Sequence, residues 1–294
     1  MKINIGVTGY SGFVGRHLIQ SLINKTKIGN IELIGRSPPT QMLDTIKWVK
    51  FDLIEPYEGE QIQLDTLIHL GGAIKKGAKD DKSKEYFDTN VFGTYNLLRN
   101  FQVTHLIYTS TVDVYTKTHG KITEMSVIKP PDEYSFSKFM GESVCRNILP
   151  PSRVTILRLG NIYGSSDDSS KLIPSAFRNL SKGLNVPIYN GGQYTRDYIY
   201  IGDVINILNI FIDKKRAGIF NVVSGNSTSI INVVTKIQRL LGGNKNLIEF
   251  ESLPISQFSI EFNNSKLLSV IGDYHFKDLE VGLKEMYETS KNFL

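Results

Sequence analysis

The chain has 294 residues, 40% hydrophobic and 21% charged, with a formal net charge of +5 and a pI near 9.0, which suits one large globular domain or two moderate ones. Its single cysteine, Cys145, excludes an intrachain disulfide and cannot make a zinc site alone, and no apolar run approaches the ~20 residues of a membrane span. The basic residues are scattered, the densest group (Lys75-Lys76 with Lys79) being diluted by Asp80 and Asp81, and the first apolar run is too short for a signal peptide. The expectation is a cytoplasmic protein with no metal, nucleic-acid or membrane partner.

Residues 2–7 read as a short apolar strand opening into Thr8-Gly9-Tyr-Ser-Gly12-Phe-Val-Gly15, after which Val14, Leu18, Ile19, Leu22 and Ile23 recur at helical spacing. A dinucleotide site needs this order, because the turn must be tight, the backbone must approach a pyrophosphate, and the helix N-terminus must face the anion. The spacing is Gly-x-x-Gly-x-x-Gly and not the commoner Gly-x-Gly-x-x-Gly, and a glycine turn without a ligand is the alternative.

A second strand at 31–34 ends in Gly35-Arg36-Ser37-Pro38. An NAD site usually places an acid there for the ribose 2′-hydroxyl, whereas an arginine accommodates a 2′-phosphate. Glu32 lies too early and Asp44 too late, so Arg36 points to NADP, with NAD the alternative; an arginine leaving a strand is also often just a surface residue. The third strand, 48–51, leads into Asp52-Leu53, placed to cap an adenine amino group.

Residues 66–70 read as a buried strand closing on Gly71-Gly72-Ala73, with His69 as a core histidine. A helix at 86–98 contains Asn90, and a strand at 105–115 carries several hydroxyls at its end. Ligands of an open parallel sheet bind outside the carboxyl ends of its strands, so these hydroxyls face the same crevice as the glycine turn. Asp132 reads as the N-cap of a helix that bears Tyr134 and Lys138 on one face. A phenol, with a pKa of about 10, is a poor acid or base at neutrality, and a neighbouring ammonium favours its phenolate. The pair alone is a chance-prone spacing, the alternative being an amphipathic helix with a half-buried ring and a solvated amine. Cys145, in the same helix, reads as a small buried residue. A strand at 154–158 leads into Gly160, Asn161 and Gly164, and about six strand–helix repeats predict an α/β fold with a doubly wound parallel sheet.

After residue 164 the rhythm breaks. A polar loop (165–170), a short helix (172–177), a strand and turn (186–192) and the segment Thr195-Arg196-Asp197 follow, then a return at 218–225, a helix capped by Ser229 and a last helix at 278–293. The expected division is a dinucleotide-binding domain of residues 1–164, rejoined by 196–223, and a smaller α/β substrate domain of 165–195 and 224–294.

Taken together, the motifs resemble those of the extended short-chain dehydrogenase/reductases of the NAD-dependent epimerase/dehydratase family, which modify nucleotide sugars. Thr8-Gly9-x-x-Gly12-Phe-x-Gly15, Asn90-Val-x-Gly-Thr, Thr111-x-x-Val-Tyr115, Tyr134-x-x-x-Lys138 and Arg158-Leu-x-Asn161-x-Tyr-Gly164 match that family in order, along the full chain. The resemblance implies that Tyr134 exchanges a proton with a sugar oxygen, that Lys138 lowers the tyrosine's pKa and binds the nicotinamide ribose, and that Thr111 shares the proton path. It implies a cofactor held by Gly9, Ser11, Gly12, Phe13, Val14 and Gly15, then Arg36, Ser37, Asp52 and Leu53. Leu70, Gly71, Gly72, Asn90, Thr109, Tyr134, Lys138 and Gly160 complete that set, with Asn90 supporting the site from behind. Substrate contacts are implied for Thr111, Asp113, Asn161, Lys171, Leu172, Tyr189 and Arg196. Arg196 would hold a diphosphate, its alternative being a surface ion pair with Asp197. A homodimer through the helices near 86–100 and 134–148 is implied as well.

The departures from the family narrow the reaction. Its 4,6-dehydratases place an Asp-Glu pair after the threonine, where this chain has Val112 and Asp113. Its GDP-fucose synthases use a cysteine and a histidine where this chain has Asp113 and Ser166. What remains is ketoreduction of a 4-keto sugar or redox-neutral 4-epimerisation; Gly35-Arg36 in place of the acid favours reduction by NADPH, with epimerisation as the alternative and a non-catalytic dinucleotide sensor as a second one.

Overall fold

The run of apolar strands and amphipathic helices folds as the sequence predicts. The computed structural model describes the chain apart from residues 1, 24, 41–42, 76–81, 117–119, 168–169, 244–246, 253–257 and 291–294. Most of the basic group at 75–81, part of the loop at 165–170 and the end of the last helix thus lie outside the described residues. Contacts divide the chain into two units: 1–116 with 127–159 and 205–220, and 117–126 with 160–204 and 221–294.

In the first unit, β1 (Ile3–Thr8) leads through the glycine turn into α1 (Phe13–Ile23). β1 pairs in parallel with β2 (Ile28–Gly35) and β5 (Thr66–His69), β2 with β3 (Ile46–Lys50), β5 with β7 (Leu106–Thr111), and β7 with β9 (Val154–Leu159). With β13 (Gly218–Val222) the sheet order is β13-β9-β7-β5-β1-β2-β3, and β4 (Ile62–Leu64) pairs separately with β6 (Phe101–Val103). All residues of β5 and β7 are buried, as expected for central strands of a doubly wound parallel sheet covered on both faces. Leu67, Leu97, Leu106, Tyr108 and Cys145 belong to one core cluster, where each wholly buried leucine contributes about 2 kcal/mol.

Three elements place the site. The strand expected to reach residue 115 stops at Thr111, because the Thr111 hydroxyl accepts from the Asp113 N–H at 3.1 Å and turns 112–114 into a single 3₁₀ turn. The helix expected over 86–98 is α2 (Ser83–Phe87) and α3 (Gly93–Asn100), joined by a π-helical turn over Asp88–Phe92 that contains Asn90. Such turns recur at functional sites. Finally, α4 (Glu133–Ile148) starts on Asp132 as expected, with a full capping box: the Asp132 carboxylate accepts from the Ser135 N–H at 2.9 Å, and the Ser135 hydroxyl accepts from the Asp132 N–H at 3.4 Å.

The second unit differs from the expected division for reasons of strand pairing. β8 (Lys121–Ile122) pairs with β16 (Glu261–Phe262), drawing 117–126 into this unit. β10 (Asn161–Tyr163) pairs with β12 (Thr195–Tyr200), drawing in 160–164 and 196–204, so that only 205–220 returns to the first unit. β12 also pairs with β14 (Ser227–Ser229), and β11 (Val186–Tyr189) with β15 (Ile248–Glu251). The helices are α5 (Leu172–Ser181), α7 (Ile230–Leu240), α8 (Ser265–Ile271) and α9 (Leu279–Ser290), while α6 (Ile201–Lys214) runs from this unit into the first. Ser229 caps α7, its hydroxyl accepting from the Asn232 N–H at 3.3 Å. Among the described residues no helix is long and apolar enough to cross a membrane.

Candidate active site

At two of its three glycines, the turn leaves no room for a side chain. Gly9 has a φ of +66°, and a Cβ there would lie 2.6 Å from the Gly71 nitrogen. A Cβ on Gly15 would lie 2.2 Å from the Gly9 carbonyl oxygen, so α1 seats directly on the turn. At exposed Gly12 a Cβ would meet only the Gly9 oxygen, at 3.2 Å. The turn is thus closed toward β5 and α1 and open at Gly12, beside the first N–H groups of an 11-residue helix. That is a cradle suited to a pyrophosphate. Ser11, Phe13 and Val14 line the same turn. Arg36 and Ser37 are exposed just beyond β2, while Asp52 and Leu53 are half-buried, Asp52 accepting from the Ile54 N–H at 3.2 Å.

Behind the turn runs a hydrogen-bond chain whose direction can be assigned throughout. The Thr94 hydroxyl donates to the Asn90 carbonyl at 2.7 Å, so it accepts from His69 Nε2–H at 3.1 Å. His69 Nδ1 must then accept, from the Thr8 hydroxyl at 2.7 Å, and Thr8 in turn accepts from the Gly71 N–H at 3.0 Å. His69 is therefore a core histidine, as the sequence suggests, held as one neutral tautomer; burial first, then Lys138, pushes it down to about 3. His105, also buried, is pushed down to about 4 by burial and Lys215. Both folded values lie below the ordinary 6.5, so between these limits the unfolded chain binds more protons. Stability is expected to be fully present above about pH 6.5 and to fall on acidification toward 3–4, by ~1.4 kcal/mol per pH unit for each histidine. Urea midpoints measured from pH 7.5 to 4.5 check this, and ¹⁵N NMR should find His69 protonated at Nε2 alone.

The catalytic candidates gather at the end of β7 and the start of α4. The Thr111 hydroxyl donates to Asp113 Oδ2 at 3.1 Å and lies within hydrogen-bonding reach of Tyr134. Tyr134 packs edge-on against Tyr86, ring centroids 5.7 Å apart. Burial, then Asp113, Asp132 and Tyr86, push the Tyr134 hydroxyl well above its ordinary 10.0, and only the Thr111 bond opposes them. These surroundings favour the protonated phenol. Lys138 is buried with its Nζ 4.4 Å above the Tyr108 ring, and burial pushes it down to about 8 against the opposing pull of Cys145 and Glu142.

Asn90 is fully engaged as a support. Its Oδ1 accepts from the Ala73 N–H at 2.9 Å, and its Nδ2 donates to the Ala73 carbonyl at 3.1 Å and the Ser137 hydroxyl at 2.9 Å. A Cβ on Gly72 would lie 2.6 Å from Asn90 Oδ1 and 3.7 Å from Lys138 Nζ, so these three residues form one cluster. The Thr109 hydroxyl donates to the His69 carbonyl at 3.0 Å, and half-buried Leu70 and Gly71 follow that strand.

One buried network joins two of the motifs to a residue outside them, Glu142. Arg158 donates from Nε to Glu142 Oε1 at 2.9 Å, from Nη2 to Oε2 at 2.7 Å, and from Nη1 to the Tyr115 hydroxyl at 2.7 Å, with Arg158 2% and Glu142 0% exposed. Arg158 and Tyr115 each stand in one of the sequence motifs, but the signal for Glu142 is only its place four residues after Lys138, on the same buried helix face.

Gly160, Asn161, Lys171, Leu172, Tyr189 and Arg196 all belong to the second unit. Gly160 N–H donates to the Val222 carbonyl at 3.0 Å, and Asn161 Nδ2 to the Asp197 carbonyl at 2.9 Å. The alternative ion pair of Arg196 with Asp197 does not form, because adjacent strand residues face opposite sides. Buried Asp197 accepts from the Ser224 N–H, the Ser224 hydroxyl and the Gly225 N–H at 2.7–3.0 Å. Half-buried Arg196 lies over the Tyr194 ring at 5.0 Å and donates to the Thr195 and Phe258 carbonyls. Lys171 and Leu172 open α5, Lys171 exposed and Leu172 half-buried, and Tyr189 ends β11.

The model of the NAD dependent epimerase/dehydratase family matches residues 5–223. The dTDP-D-glucose 4,6-dehydratase of Dictyostelium discoideum is 26% identical over 262 residues, 79% of this chain and 60% of that protein. The dTDP-glucose 4,6-dehydratase of Haemophilus influenzae is 28% identical over 276 residues, 81% of this chain and 80% of that one. Among solved structures, UDP-glucuronic acid 4-epimerase from Bacillus cereus, in complex with UDP-glucuronic acid and NAD, has a TM-score of 0.86 at 21% identity, covering 99% of this chain and 100% of that chain.

Proposed function

Because the chain belongs to the NAD dependent epimerase/dehydratase family, we propose that it is an NADPH-dependent reductase of a 4-keto sugar, deoxy and linked to a nucleotide. The observation that carries this reading is the position of the Tyr134 hydroxyl beside Thr111, whose own hydroxyl is tied to Asp113, in surroundings that favour the protonated phenol. Reduction of a carbonyl needs an acid at the oxygen, and a phenol held well above its ordinary pKa starts each turnover with that proton in place. When bound, the dinucleotide supplies the hydride. In this reading the turn at Gly9, Gly12 and Gly15 holds the pyrophosphate, Arg36 the 2′-phosphate and Lys138 the ribose, while Arg196 is offered to the diphosphate of the substrate. Thr111 orients the substrate oxygen and the phenol together. Dehydration is disfavoured, because Val112 can neither give nor take a proton.

A homodimer belongs to the same proposal, supported by the exposed Phe92, Tyr95 and Phe136 on the helices concerned. The second reading is redox-neutral 4-epimerisation with retained NAD, which draws on the NAD and UDP-sugar of the Bacillus cereus neighbour. The two separate cleanly. Loss of NADPH absorbance only on adding a 4-keto sugar nucleotide is expected; conversion of a sugar nucleotide by protein that copurifies with NAD, with no net redox change, would replace the reductase with the epimerase.

A further inference from the structure

The glycine turn and the end of β2 are joined by a residue to which no role has yet been given. Tyr10, only 9% exposed, lies against Gly35: a Cβ on that glycine would fall 3.0 Å from the ring Cε1 and 3.4 Å from the phenol oxygen. The Tyr10 hydroxyl donates to the Ser37 carbonyl. Trp48, on the neighbouring β3, donates from Nε1 to the Gly35 carbonyl at 3.1 Å and also hydrogen-bonds the Tyr10 hydroxyl. Burial raises the Tyr10 phenol, so it remains a donor at any physiological pH.

Gly35 is the last residue of β2, the position at which a ribose-binding carboxylate ordinarily leaves the second strand. Here that position has no side chain, and a Cβ there would press on the Tyr10 ring. The next residue, Arg36, is exposed, and its backbone is fixed on both sides, at Gly35 by Trp48 and at Ser37 by Tyr10. A guanidinium presented from a fixed backbone suits a phosphate, which it can grip with two parallel N–H donors.

We propose that Tyr10 is a specificity-determining residue for the dinucleotide: its ring excludes a carboxylate at position 35 and its hydroxyl holds the loop that presents Arg36, so the site selects a 2′-phosphate. The inference rests on the dinucleotide-binding reading above and deepens it.

The test uses the purified full chain and the dissociation constants of NADPH and NADH. Both are followed by calorimetry and by the fluorescence of Trp48, the chain's only tryptophan. The unsubstituted chain is expected to bind NADPH at least about tenfold more tightly than NADH, as one lost charge-assisted phosphate contact implies. Gly35→Asp alone should gain little NADH affinity, whereas Tyr10→Gly with Gly35→Asp should reverse the preference. Tyr10→Phe keeps the ring but frees Ser37, and should weaken NADPH severalfold while leaving NADH unchanged; a melting curve for each variant establishes that it is folded. Equal affinity for both dinucleotides, or a full reversal by Gly35→Asp alone, would overturn the role of Tyr10 and leave the functional reading standing. Binding of neither dinucleotide would overturn both.

Discussion

Tyr134→Phe is expected to lower turnover by about 10²–10⁴-fold while leaving dinucleotide affinity almost unchanged. The substitution removes one oxygen and keeps the ring in place against Tyr86. Its hydroxyl is the group that burial, Asp113, Asp132 and Tyr86 together favour in the protonated form, so the loss falls on proton delivery and not on folding. Steady-state rates with a 4-keto sugar nucleotide, beside a dinucleotide titration, check both halves. If activity and cellular effect were both unchanged, catalysis by this residue would be abandoned in favour of a chain that only reports dinucleotide binding.

Glu142→Gln should be the most destabilising single polar substitution in the first unit. Arg158 has no solvent to turn to, and breaking a buried pair by removing one partner costs about 3–5 kcal/mol. Replacing both, as Glu142→Leu with Arg158→Met, should recover most of that, since a well-packed apolar pair avoids desolvating either charge. Urea unfolding of the two variants and the parent decides it; equal losses in the single and double variants would mean that the network is not acting as a pair. Its reach extends to the site, because Glu142 lies one turn after Lys138 and Arg158 holds the Tyr115 hydroxyl just beyond Asp113.

The fold was legible because its signals are local. The glycine turn, the apolar strands at 66–69 and 154–159 and the Asp132 cap each declare themselves within a few residues. What stayed hidden depends on contacts between distant segments. Thr8 and His69 are 61 residues apart in sequence, and Arg158 and Tyr115 are 43 apart. The pairing of β8 with β16 joins stretches some 140 residues apart, and no periodicity near residue 121 announces it. The site itself was half legible. Spacing brought Tyr134 and Lys138 together on α4, but not the surroundings of the phenol, where burial and Asp113 from a distant segment join the nearby Asp132. Tyr10 read as an unremarked letter inside a motif, because its partner Gly35 is defined by the absence of a side chain.

The widened turn at Asp88–Phe92 acts on its helix as an edge dislocation acts on a crystal. One surplus residue is stored in a single turn, and the parts before and after it are out of phase by about 100°. Tyr86, Asn90 and Thr94 on this stretch are buried, while Phe92 and Tyr95 are exposed to solvent. A one-residue deletion inside the turn would heal the defect into an ordinary α-helix. The same deletion between Gly93 and Asn96 would instead rotate Leu97 and Leu98 out of the core. The tolerance of this helix to length variation is thus concentrated at the one place where a change of phase also reorients Asn90.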